Sequence, residues 1–203
     1  MGEYENAAKV VRQALAETQD TDLQRRCYLT LAETYRELRD YSASVELLEE
    51  ALKRSDLMTN AAMYEMLGDA YFQRALDIET SPDPQQDYLN SAMNFESAIR
   101  SGMRKTYLYV NAAIGYLNGG WYDEAFQVLD DMEQVYPNQY EVNAMRGIIH
   151  INQQNNLEQN QRDYAYAYEQ YLMARDKATS NDDQRHLQML ESYIDELERL
   201  GWL

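Results

Sequence analysis

Two histidines, one cysteine and two aspartate pairs are the residues of this 203-residue chain with the most evident chemistry. His150 and His186 lie far apart in sequence, and neither has a nucleophile beside it. His150 falls where the local apolar pattern calls for an aromatic core residue, so it reads as structural. Cys27 has no histidine near it in sequence to activate a thiolate. A lone cysteine forms no intrachain disulfide, which fits a reducing compartment. Asp20/Asp22 and Asp182/Asp183 lack calcium-loop spacing and read as helix caps and loop acids. No glycine-rich phosphate loop or metal-ligand motif occurs. The expectation is a protein that is not an enzyme and takes no metal and no cofactor.

Charge narrows the partners further. Eighteen Lys and Arg oppose 35 Asp and Glu, a net charge of −17. The deficit is spread along the chain, so no basic stripe is left to hold a phosphate backbone, and nucleic acid is disfavoured. An anionic membrane surface repels such a chain. No apolar run approaches the roughly 20 residues that span a bilayer, and the acidic start lacks a signal-peptide pattern. The expected location is the cytoplasm. At 45% apolar residues there is enough material for a core, and three prolines with eight glycines imply long regular elements.

The elements that must position any site are helices. Tyr28, Leu31, Ala32 and Tyr35 recur at i, i+3, i+4 and i+7, as do Tyr64, Leu67, Gly68, Tyr71 and again Tyr109, Ala112, Ala113, Tyr116. A second helix type carries a small residue, a bulky one four later, and usually a small one three after that. Its copies are Ala7/Val11/Ala14, Ser44/Leu48/Ala51, Ser91/Phe95/Ala98, Ala125/Leu129/Met132 and Ala167/Tyr171/Ala174. A tyrosine precedes each by three residues: Tyr4, Tyr41, Tyr88, Tyr122 and Tyr164. Self-similarity of this kind marks a repeat array, and it assigns most of the 18 tyrosines to core packing.

These residues resemble the tetratricopeptide repeat, a helix–turn–helix unit whose pattern has an aromatic, Leu-Gly/Ala and Tyr in its first helix and Tyr, Ala, a bulky residue and Ala in its second. The resemblance implies an all-α, right-handed helical-hairpin solenoid, a single domain over residues 1–203. Its parts are a half repeat (3–18), repeats at 25–58, 61–104, 106–139 and 140–181, and a capping helix (182–200) that covers the last apolar face. Helix 3–17 reads as the second half of a repeat, as if the chain had been cut from a longer one. Two repeats are overlong, with insertions near 80–87 and 153–161. The repeat from Tyr140 is degenerate, with Asn143, Arg146 and His150 in place of the aromatic, Leu and Tyr.

The resemblance also implies that first helices line a concave groove. Carried over position by position, the residues expected to bind a peptide are Glu33, Glu37, Glu65, Asp69, Gln73, Tyr107, Asn111, Ile114, Leu117 and Asn118. The basic clamp by which some members hold a carboxylate is absent, because Leu29, Glu33, Met66, Tyr107 and Asn111 stand there. An acidic groove repels carboxylates and favours a neutral or basic segment. The implied function is a non-catalytic scaffold that binds a peptide segment of a partner protein. The alternative is a regulatory or sensor segment of a larger multidomain protein, such as a bacterial signalling kinase or transcription regulator.

Overall fold

A computed structural model describes residues 2–77, 79–181 and 183–200. Within them the chain forms helices α1 (Gly2–Glu17), α2 (Thr21–Glu37), α3 (Tyr41–Leu52), α4 (Ala61–Leu76), α5 (Pro84–Arg100), α6 (Thr106–Gly119), α7 (Tyr122–Val135), α8 (Tyr140–Asn155), α9 (Ala165–Ser180) and α10 (Gln184–Leu200), plus a 3-10 turn at Gln159–Gln161. No strand occurs among the described residues. Asp182 and Gly201, which the sequence pattern puts at the ends of the capping helix, lie outside them. No described helix is long and apolar enough to cross a membrane.

The starts of α2, α3, α4 and α5 follow from side chains that satisfy the free amides of a first turn. Asp20 accepts from Asp22 N at 2.8 Å and Leu23 N at 3.0 Å. Asp40, Asn60 and Asp83 do the same for Ala43, Met63 and Gln86. Pro84 then occupies the first turn of α5, where a missing amide hydrogen costs nothing.

The chain folds into two compact units, the first ending at Gly119 and the second beginning at Gly120. In the first, α1 packs through Ala8, Val11 and Leu15 on Leu31 and Tyr35 of α2 and on Ala43 and Leu47 of α3. Of the pattern expected in α1, Val11 packs inward and Ala14 is half-buried, but Ala8 is buried in place of Ala7, and Tyr4 is exposed. The apolar α1 side chains that reach this cluster are Ala8, Val11 and Leu15, and Arg12 donates from Nε to the Tyr35 hydroxyl at 2.8 Å. Further along, α2, α3 and α4 share a core of Tyr28, Ala32, Leu48, Met63, Leu67 and Tyr71.

Glycine on a first helix lets an aromatic ring of the second lie directly against its backbone. A Cβ at Gly68 of α4 would stand 3.1 Å from the Phe95 ring of α5, and one at Gly147 of α8 only 2.6 Å from the Tyr171 ring of α9. The other two repeats carry Ala32 with Leu48 and Ala113 with Leu129. Where the second helix offers a flat ring the first offers no side chain, and where it offers leucine the first offers a methyl. Close packing enforces this pairing, because an interior has no room for one extra carbon.

The overlong repeat in the first unit is held by a buried ion pair. Helix α4 runs on to Leu76, about a turn further past Tyr71 than α2 runs past Tyr35, and α5 starts about a turn before Tyr88. Arg74, on that added turn, donates to both carboxylate oxygens of Asp87 at 2.9 and 2.6 Å, and Ser81 Oγ donates to the same group at 2.7 Å. Asp87 is 2% exposed.

In the second unit each irregular residue of α8 has found a partner. Asn143 is buried and donates to Gln170 of α9 at 2.7 Å. Arg146 reaches Asp130 at 2.5 Å and Glu133 at 2.8 Å on α7. His150 packs on the Tyr166 ring, centroids 5.0 Å apart. Helix α10 is one-sided and adds Leu190, Ile194 and Leu197 to the core of Tyr164, Tyr171 and Ala174.

Two stability changes are expected. Gly147→Ala forfeits about 1–3 kcal/mol to overpacking despite the better helix propensity of alanine. Adding Tyr171→Leu recovers part of that loss, so the double variant melts above the sum of the single effects. Strict additivity in thermal melts contradicts the ring-on-glycine account. Asp87→Ala strands the Arg74 charge and costs about 3–5 kcal/mol, again read by melting temperature; a shift as small as that of an exposed aspartate contradicts the buried pair.

Candidate functional site

Helices α2, α4 and α6 contribute to a groove of about 390 Å³ in the first unit. From α2 come Leu29, Glu33 and Arg36; from α4, Ala62, Glu65, Met66 and Asp69; from α6, Tyr107 and Asn111. Phe95 of α5 completes the lining, the same ring that lies against Gly68. The helical period puts these side chains on one face. Positions 62, 65, 66 and 69 follow the i, i+3, i+4, i+7 rule, as 29, 33 and 36 do.

Five of the ten residues expected to bind line this groove: Glu33, Glu65, Asp69, Tyr107 and Asn111. Glu37 is exposed beside Arg36, 3.6 Å away. Gln73 hydrogen-bonds Asp69. Ile114 and Leu117 are half-buried and Asn118 is exposed on the C-terminal part of α6, outside the lining. Phe95 was missed, because a second-helix core position is not expected to reach a groove of first helices. Its sequence signal is the glycine at 68 facing an aromatic at 95.

The charges in the groove are not balanced. Three carboxylates share the lining with one guanidinium. Arg36 donates to Glu33 and is 3.8 Å from Asp69. Burial pushes the Asp69 carboxyl up from its ordinary range, Arg36 and Gln73 pull it down, and Glu33 and Glu65 push it up again. Glu65 is met by a neutral donor, the Tyr107 hydroxyl. Partial burial and that acceptor carry Tyr107 up to about 12, so it keeps its proton at neutral pH. Lys105 Nζ stands 5.5 Å from the centroid of the same ring.

Other concavities differ in chemistry. A groove of about 380 Å³ in the first unit holds Glu49, Lys53, Leu67, Tyr71 and Met93, one acid with one base, and Tyr71 donates to Glu49. A depression of about 510 Å³ in the second unit is edged by Tyr140, Glu141, Asp183 and Arg185. Nearby, His186 pairs with Asp183 at 2.7 Å and packs on Tyr140. Among the described residues no group of three His, Cys, Asp or Glu is arranged to hold a metal ion.

The chain matches no protein-family model and no curated protein sequence. Solved structures are similar to it over most of its length. A crystal structure of MamA protein superposes with a TM-score of 0.65 at 16% identity, covering 89% of this chain and 86% of that one. TTC0263, a thermophilic TPR protein of Thermus thermophilus, gives 0.56 at 19% identity over 94% and 90%. YrrB, described as a TPR protein with an unusual peptide-binding site, gives 0.55 at 16% over 93% and 85%.

The chain has the tetratricopeptide-repeat fold. At these identities the likeness is one of backbone architecture, and the groove chemistry is this chain's own.

The sign of the Asp69 effect can be measured. Its carboxyl is raised in the folded chain, so folding favours the protonated form, and stability drawn from it is present at low pH and lost as pH rises through the folded value. Asp69→Asn should therefore raise the melting temperature at pH 7, with the gain fading as pH falls through the carboxylate range. A loss of stability at pH 7 would mean that the Arg36 contact outweighs the crowding.

Proposed function

We propose that this chain is a non-catalytic protein-interaction module that holds a basic or neutral segment of a partner protein in the first-unit groove. The observation that carries the reading is the lining itself: an apolar floor of Leu29, Met66 and Phe95 beneath three carboxylates and one guanidinium. An apolar floor with convergent polar groups is what a peptide site requires. The excess negative charge selects against acidic segments, as like charges across an interface cost several kcal/mol. YrrB, similar in fold, is described by its peptide-binding site, which supports a peptide as the kind of partner.

The two parts of the lining do different work. Glu33, Glu65 and Asp69, with Glu37 just outside the lining, attract a basic segment over distance, so they act on the association rate and are screened by salt. The floor and the face of Tyr107 act after desolvation and set the dissociation rate. In the second unit, the pairing of His186 with Asp183 and the packing of His150 on Tyr166 are the arrangements of structural residues.

A phage-displayed library of linear peptides, panned against the immobilised full chain, tests this. Recovered sequences should be rich in Lys and Arg and poor in Asp and Glu. Their affinity should fall when Glu65 and Asp69 are both changed to Lys, most steeply at low ionic strength. Tyr107→Ala should cost about 1–3 kcal/mol of binding at any salt. Peptides that bind the charge-reversed chain as well as the parent would place the ligand elsewhere and remove the groove from the account.

A further inference from the structure

We infer that the groove between α2, α4 and α6 is a socket for one long cationic side chain, lysine or arginine, and that Arg36 is an internal competitor for the same carboxylates. This rests on the reading of the groove as the peptide site and specifies what that site selects. The shape of the lining is the first argument. Ala62, Met66 and Phe95 supply an apolar surface, while Glu33, Glu65 and Asp69 supply charge. A side chain that is aliphatic along its stem and cationic at its tip meets both at once.

Arg36 is the second argument. Its guanidinium is divided among Glu33, Glu37 at 3.6 Å and Asp69 at 3.8 Å, and its side chain is 44% exposed. It therefore stands at the mouth rather than in the depth of the site. Glu65 takes its hydrogen bond from the uncharged Tyr107 hydroxyl, and Asp69 carries a carboxyl raised by burial and by its acidic neighbours. A second cation relieves that crowding, which a neutral side chain does not. The same cation must displace Arg36 from Asp69 or share it, so the unliganded groove opposes weak cations and admits those with a stem that fits the floor.

The test uses the full chain with its methionine methyl groups labelled with carbon-13. Met66 reports on the socket and Met93 on the other groove of the same unit. Met66→Leu assigns the socket signal. The probes are Nα-acetyl-lysinamide, Nα-acetyl-argininamide and, as the uncharged stem, Nα-acetyl-norleucinamide. The lysine or arginine compound should shift Met66 saturably and leave Met93 in place, and norleucine should not.

Arg36→Gln should tighten the cation severalfold, Arg36→Lys should stay near the parent, and Asp69→Asn should weaken it severalfold. If norleucine moves Met66 as far as the cations do, or Arg36→Gln weakens binding, the socket is overturned. If panned peptides bind the groove while neither cationic compound moves Met66, the socket fails and the peptide site stands. If those peptides shift Met93 and not Met66, both fall.

Discussion

An aromatic ring lying on a glycine is the contact on which this structure turns. At Gly68 and Gly147 the first helix of a pair presents bare backbone, and the rings of Phe95 and Tyr171 occupy the space a side chain would have taken. Each helix is amphipathic and cannot shield its apolar stripe alone, so the distance between paired helices decides whether a core forms. In the first unit the same contact also shapes the groove. Phe95 takes part in the core and also lines the groove, so a packing device supplies part of the apolar surface that a ligand would meet.

The groove adds an electrostatic feature that folding alone does not require. Asp87, on the same unit, shows how this protein treats a carboxylate whose task is structural: it is buried, doubly bonded to Arg74 and capped by Ser81. Arg146 with Asp130 and Glu133 follows the same practice in the second unit. Asp69, Glu33 and Glu65 are left with one shared guanidinium, a phenol and the amide of Gln73. The proposed binding of a cationic segment rests on this excess of carboxylates in a concave, partly apolar place.

Periodicity made the helices and the repeat legible, because burial of one face dictates residue type at i, i+3, i+4 and i+7. The cap at Asp20 was readable for a similar local reason. Of the groove, the residues that repeat arithmetic reaches were found: Glu33, Glu65, Asp69, Tyr107 and Asn111. Contacts between residues that no periodicity links were not legible. Arg74 with Asp87 spans the insertion that interrupts the repeat pattern. Phe95 lines the groove from a second-helix core position, its ring lying against Gly68. Asn143, Arg146 and His150 look like a broken pattern in sequence, yet each meets a partner on α7 or α9. Tyr4 and Ala7 fit the pattern but stand in solvent, because the contacts of α1 run along the face of Ala8, Val11 and Leu15.

The central claim is that the groove carries negative charge its own residues leave unsatisfied. The most direct measurement is the titration of the Asp69 side-chain carboxyl by carbon-13 NMR, in the parent chain and with Glu65 changed to Gln. The account predicts a midpoint above the ordinary aspartate range in the parent, and a fall toward that range when Glu65 loses its charge. A midpoint at or below the ordinary value in the parent, or one indifferent to Glu65, would show that Arg36 already balances the site and would contradict the account.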